Sequence, residues 1–299
     1  MPSTYFHLYK ITIEPREDSI YKTFQEILEN PPVRQVTMAK KGNPFQIEGN
    51  VKKSGNIYTG TFCLIQKNEL PTKAQFGKEP ELIIGDEDDG GLGHYTSFMY
   101  DSTNDVIAIQ TNRNGVSANG VAAYFRRNYK VKDITLEIII NPDKLEQLLK
   151  MTTISSFQVS IARPENAAFV SPDNKKAFSE MNAIADNTDA NILTLQLGIG
   201  YKRDATLKKQ SIFSYVRNLL SKNQNLDVRK IEIKGKEHDE DNLDTLDLIT
   251  NKVVIPVVYK SPRTINPRFL NSILKKVVED YSALKPKIDK TYKVKRKLD

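Results

Sequence analysis

Residues 96–110 constrain the fold more than any other stretch of the chain. Thr96-Ser97-Phe98-Met99-Tyr100 and Val106-Ile107-Ala108-Ile109-Gln110 carry the β-branched and aromatic residues of strands. Between them, Asp101-Ser102-Thr103-Asn104-Asp105 is a run whose side chains bond back to their own backbone and so favour a turn. Two strands joined by so short a link pair antiparallel. A second hairpin is expected where strands over 45–51 and 57–66 flank Lys53-Ser54-Gly55-Asn56. Sheets built on hairpins do not fit a doubly wound parallel fold. The expected class is therefore α+β, with mixed or antiparallel sheets and flanking helices.

The remaining signals fill in that frame. A strand over 6–13 is followed by a helix over 20–28, with Ile20, Phe24, Ile27 and Leu28 on one stripe and Asn30-Pro31-Pro32 as its stop. Ser117 caps a helix through Val121, Ala122, Tyr124 and Phe125. A strand over 134–140 leads to Asn141-Pro142, a cap and a first-turn proline, and then to the apolar stripe Leu145, Leu148 and Leu149. After a strand over 157–161, residues 163–190 are polar, with Pro164 and Pro172, and read as a long excursion holding one helix near 175–184. Next come a strand over 192–197, a helix over 206–222, a strand over 228–234 and a hairpin over 243–259 turning at Asn251. Asn266-Pro267 opens the closing helix, whose Phe269, Leu270, Ile273, Leu274, Val277, Val278 and Tyr281 make one broad apolar face. Two lobes are expected, an N-terminal one over 1–165 and a C-terminal one over 166–299.

The 299 residues are 39% hydrophobic, enough for a substantial core. Cys63 is the single cysteine, which excludes an intrachain disulfide framework. The sequence offers neither a long apolar run for a membrane helix nor a signal-peptide pattern at its start, so a soluble, cytoplasmic protein without direct membrane insertion is expected. The net charge of +7 favours an anionic partner. Acids gather at 86–89 and 237–247, whereas residues 285–299 hold Lys285, Lys287, Lys290, Lys293, Lys295, Arg296 and Lys297 against Asp289 and Asp299.

Catalytic motifs are sparse. Asp86-Glu87-Asp88-Asp89 lies near His94, but consecutive carboxylates on an extended chain point in alternate directions and do not converge on one ion. A solvated, glycine-flanked turn is the stronger reading. Glu232-Ile233-Lys234, after Asp227, has the E-x-K form of metal-dependent nucleases, a pattern also common on any solvated strand. No phosphate-binding glycine loop, dinucleotide fingerprint or serine elbow is present. Cys63, between Phe62 and Leu64, reads as core. No catalytic residue, metal site or cofactor is expected.

Basic clusters carry more. Arg126, Arg127, Lys130 and Lys132 stand at a helix exit, Lys208, Lys209, Arg217 and Lys222 decorate the helix over 206–222, and Arg263 and Arg268 bracket the start of the last helix. Lys275 and Lys276 lie on that helix, where pairing with Glu279 and Asp280 is the competing account.

The order of features over 87–125 is similar to that of a phage-exclusion family typified by the A component of the lambdoid Rex system. Those features are an acid, Gly91-Leu92-Gly93, the strand Ser97 to Tyr100, an Asp/Asn turn, the strand Ile107 to Ile109, Gln110 to Gly115, and Ser117 before a short helix. The acidic segment from Lys234 to Asp247, the strand through Ile255-Pro256 and the closing helix with its basic end resemble that family's ending. The resemblance implies an intracellular, non-catalytic sensor that binds double-stranded DNA with little sequence preference. It also implies a homodimer with two mobile lobes, and a membrane effector protein encoded nearby. Arg126, Arg127, Lys275 and Lys276 are the positions onto which it carries DNA contact. The more basic tail and the excursion at 163–190 depart from the pattern. Three readings follow: a DNA-backbone binder; a metal-dependent nuclease or hydrolase using Asp86, Asp88, Glu232 and Lys234; and a protein-interaction module using the acidic loop at 237–247.

Overall fold

The computed structural model describes residues 2–31, 37–40, 42–73, 76, 79, 81–82, 90–162, 187–188, 190, 192–200, 205–221, 228–238 and 242–295. In chain order the first elements are β1 (Ser3–Glu14), α1 (Phe24–Glu29), β2 (Met38–Lys40), β3 (Asn43–Ile47), β4 (Lys52–Ser54), β5 (Ile57–Gln66), β6 (Thr72–Lys73), β7 (Glu81–Leu82), β8 (Leu92–Asp101) and β9 (Val106–Gln110). There follow α2 (Ala118–Tyr129), β10 (Asp133–Ile138), α3 (Pro142–Lys150), β11 (Thr153–Ala162), β12 (Ile192–Gly198), α4 (Lys209–Ser221), β13 (Val228–Lys236), β14 (Asp244–Asp247), β15 (Val254–Val258) and α5 (Pro267–Lys295). The fold is α+β. Two compact units form, each from separated stretches of chain: the described residues of Met1–Phe6, Ile11–Ile134 and Ile255–Val278 in one, and of His7–Lys10, Thr135–Val254 and Glu279–Asp299 in the other. The lobe boundary expected at 165 and the helix expected near 175–184 lie outside the described residues.

In the first unit the sheet order is β1-β9-β8-β5-β3-β2, with β4 also on β5. The hairpin β8–β9 forms as its turn residues require: the buried Asp101 accepts from the backbone N–H of Thr103 at 2.9 Å and closes the turn. The strand expected over 45–51 is instead broken into β3 and β4, because Gly49 takes φ of +67° and turns the chain out of the sheet. Both pieces still pair with β5. Alternation along β5 buries Tyr58, Gly60, Phe62 and Leu64. At Gly60 a methyl group would stand 2.6 Å from the Phe98 ring, so this position needs the bare backbone.

An aromatic nest packs on that face. Phe125 meets Phe24, Phe62 and Phe98 edge-on at ring centroid distances of 4.8, 5.9 and 6.1 Å, and Tyr124 meets Phe62 edge-on at 5.1 Å. Tyrosines at its margin find acceptors, Tyr58 at Glu29 (2.5 Å) and Tyr100 at Asp105 (2.9 Å). Bonds from Lys53, Tyr58 and Gln25 hold the Glu29 carboxyl down at about 2. Helix α1 begins at Phe24, not near Ile20, because Thr23 is extended and makes a capping box with Glu26, which leaves Ile20 78% exposed.

The second unit contains the sheet β12-β11-β13-β14. Its core gathers Leu145 and Leu148 of α3, Phe157 and Val159 of β11, Ile212, Val216 and Leu220 of α4, and Ile231 and Ile233 of β13. Helix α4 starts three residues later than the sequence pattern suggested. Thr206 and Leu207 are taken up by β11, the Thr206 hydroxyl accepting from Ile154 N–H (2.9 Å) and Leu207 N–H donating to the Ile154 carbonyl (2.9 Å). The expected hairpin over 243–259 is not one: β14 pairs with β13, and β15 pairs with β1 in the other sheet. Helix α5 extends to Lys295 through Pro286, well past the apolar face that announced it. No described helix is long and apolar enough to cross a membrane.

His7, half-buried on β1, has its imidazole pushed down from 6.5 to about 4, first by burial and then by the charge of Lys252. Between those values the unfolded chain binds this proton and the folded one does not. Stability is thus complete above 6.5 and lost as the pH falls toward 4. Thermal melts should show the midpoint dropping across that window, and His7→Gln should flatten the slope; equal slopes in both proteins would remove His7 as the cause.

Candidate nucleic-acid interface

The exit of α2 divides its cations into two kinds. Ser117 caps the helix by accepting from Gly120 N–H at 3.2 Å, and Val121, Ala122, Tyr124 and Phe125 turn inward, leaving Arg126 and Arg127 exposed. Arg126 is held by Asp133 at 3.2 Å, and Lys132 by Glu14. Arg127 and Lys130 are exposed and have no partner among the described residues. Lys130 ends the helix with φ of 51° and ψ of 34°, a left-handed conformation that costs a residue with a Cβ roughly 1–2 kcal/mol.

The first half of α5 presents the second group. Asn266 caps it by accepting from Phe269 N–H at 3.0 Å, and Leu270, Ile273, Leu274 and Val277 are buried. This burial leaves Arg268, Asn271, Ser272, Lys275 and Lys276 on the solvent side. Arg268 and Lys275 lie about two helical turns apart and share a face, whereas Lys276, turned about 100° from Lys275, donates to the Val258 carbonyl at 3.4 Å. Lys52, on β4, donates to Asn271 at 3.2 Å and adds a cation beside them. A cavity of about 260 Å³, lined by Glu48, Lys52, Thr59, Thr61, Leu270 and Leu274 among others, separates this helix from β5. Sequence reading missed Lys52 because 219 positions separate it from Asn271.

The second unit uses several of its expected cations internally. Lys209 donates to the Leu149 carbonyl at 2.6 Å and lies 5.4 Å above the Phe213 ring. Arg217 is half-buried, lines a small cavity with Leu145, Leu220 and Tyr292, and is already engaged. Lys290 bridges Asp143 and Glu146, both at 3.1 Å. Lys208 is exposed. Lys222, Arg296 and Lys297, and the side chains of Lys293 and Lys295, lie outside the described residues.

The acids expected for hydrolysis do not gather among the described residues. Alternation places Glu232 and Lys234 on one face of β13, but the Glu232 carboxylate is held by Lys230 at 2.6 Å and by Lys234 at 3.6 Å, with the first bond lowering its pKa most. Asp247, its neighbour across the strands, accepts from Ile249 N–H at 3.0 Å to cap a turn. No group of three or more metal-ligating side chains occurs among the described residues. Asp86, Asp88 and Asp227 lie outside them. Cys63 is half-buried opposite Tyr95, and burial pushes its thiol up.

A family model, DUF6731, described as a family of unknown function, matches residues 12–293. The chain belongs to the DUF6731 family. The match spans both units, so the exposed cations of α2 and α5 lie within the DUF6731 region. No curated protein matches the sequence.

Arg126 and Lys132 sit in solvent-exposed ion pairs, which contribute little to folding. Arg126→Ala and Lys132→Ala should each change the unfolding free energy by less than about 1 kcal/mol in urea titrations.

Proposed function

We propose that the protein binds the phosphate backbone of double-stranded DNA without reading its sequence. The observation that carries this reading is the solvent side of α5, where Arg268 and Lys275 share a face of a helix anchored by Leu270, Ile273, Leu274 and Val277, with the exposed Lys276 next to them. Burial already fixes the helix, so Arg268 and Lys275 are not needed to hold it in place, whereas Lys276 also donates to the Val258 carbonyl at 3.4 Å. Lys52 beside Asn271, and Arg127 and Lys130 at the exit of α2, supply further exposed positive charge in the same unit. Lysines and arginines of this kind neutralise phosphates and release counterions, which gives affinity that depends on salt and little on base sequence.

The resemblance to Rex-type exclusion proteins gives this binding a setting: a homodimeric sensor of intracellular DNA acting through a membrane effector. DNA contact is a property that setting requires.

In fluorescence anisotropy with a labelled duplex, log affinity should fall linearly with log salt, and unrelated duplexes should bind about equally. Arg268→Ala/Lys275→Ala/Lys276→Ala should weaken binding to every duplex alike and reduce the salt slope by about one for each phosphate no longer neutralised. Absence of binding at low salt would end the proposal.

A further inference from the structure

A polar cavity of about 250 Å³ in the first unit is lined by Lys40, Asn43, Gln66, His94, Arg113 and Asn114, with Leu64 as its apolar member. Lys40 and Arg113 are cations, and no carboxylate is among these residues. The wall on the side of β5 and β8 is fixed by its hydrogen bonds. Gln66 donates through Nε2 to the carbonyls of Asn68 (2.9 Å) and Glu69 (3.0 Å), so its Oε1 accepts from His94 Nε2 (2.7 Å). Nε2 is therefore the protonated ring nitrogen, and the imidazole is held in place. Asn43 accepts through Oδ1 from Lys67 N–H at 3.0 Å, which leaves its amide N–H groups to the other side.

The opposite rim is the segment between β9 and α2, and its backbone is locked. Asn112 donates to the Tyr95 carbonyl (2.8 Å), accepts from Asn114 N–H through Oδ1 (3.1 Å) and accepts from Gly115 N–H through its carbonyl (3.2 Å). Val116 N–H donates to the Thr96 hydroxyl at 2.9 Å, and the Lys40 ammonium donates to the Gly115 carbonyl at 2.5 Å. A Cβ at Gly115 would stand 2.3 Å from the Thr96 hydroxyl oxygen, so the loop closes against β8 only with glycine there. The side chains of Arg113 and Asn114 take no part in this closure. Both are exposed, and they have no partner among the described residues.

We infer that this cavity is a binding site for a phosphate-type oxyanion, with Arg113 as its principal contact and Lys40, Asn43 and Asn114 as further donors. A guanidinium presents paired N–H groups matched to two oxygens of one phosphate. The rigid loop leaves little ordering cost beyond the Arg113 side chain. The volume exceeds that of a bare phosphate and leaves room for a small group esterified to it. The site uses none of the α2 and α5 cations, so it stands whether or not those bind DNA. The same chemistry comes from a free phosphate monoester or from the terminal phosphate of an oligonucleotide.

Isothermal titration of the whole protein with inorganic phosphate, in chloride buffer of constant ionic strength, tests this. One site per chain is expected. Arg113→Ala should weaken it at least about tenfold, as loss of a charge-assisted hydrogen bond does, and Arg113→Lys should restore part of the affinity. Because Arg113 is exposed and has no partner among the described residues, both variants should keep the wild-type circular dichroism spectrum. Competition by glycerol phosphate, but not by a 5′-phosphorylated oligonucleotide, assigns the site to free esters, and the reverse assigns it to nucleic-acid ends. No heat with phosphate, or equal affinity in wild type and Arg113→Ala, overturns the inference.

Discussion

Edge-to-face packing of phenylalanine and tyrosine rings holds the first unit together. The chain has no tryptophan, so Phe24, Phe62, Phe98, Tyr124 and Phe125 supply the large surfaces. Such ring pairs contribute about 0.5–1.5 kcal/mol each beyond their burial. Phe125 touches α1, β5 and β8 at once, and in doing so sets where α2 lies. The placement of α2 in turn sets the position of Arg127 at its exit and of the closed loop before Ser117. The exposed cations at the exit of α2 and the polar cavity therefore both depend on apolar packing that neither includes.

Local signals carried most of the fold. The Asp101–Asp105 turn, the Ser117 cap and the Asn266-Pro267 start all act within a few residues, and each appears where the sequence places it. The departures have distant causes. Thr206 and Leu207 leave the helical pattern because β11 offers Ile154 as a partner. The segment over 243–259 looks like a hairpin by alternation, but its two strands find different neighbours, and alternation does not say which neighbour a strand takes. The polar cavity was illegible for the same reason. His94 lies close in sequence to the acids at 86–89, whereas its hydrogen-bonding partner is Gln66, one strand away.

Net charge proved a poor guide to available charge. Arg126, Lys132, Lys209 and Lys290 are all engaged by carboxylates or carbonyls, although in sequence they look the same as Arg127, Lys130, Lys275 and Arg268. Which lysine or arginine remains for a partner is decided by acids such as Asp133, Glu14, Asp143 and Glu146. Of the cations expected on α4, Lys209 and Arg217 are engaged while Lys208 is exposed.

The left-handed turn at Lys130 has a consequence for how this protein can change. Glycine would relax the backbone at that position and tighten the end of α2, yet it would delete an exposed cation next to Arg127. Stability and surface charge thus pull in opposite directions at one residue. A variant library selected only for heat resistance would drift toward glycine there, and one selected only for retention on a polyanion would keep lysine or arginine.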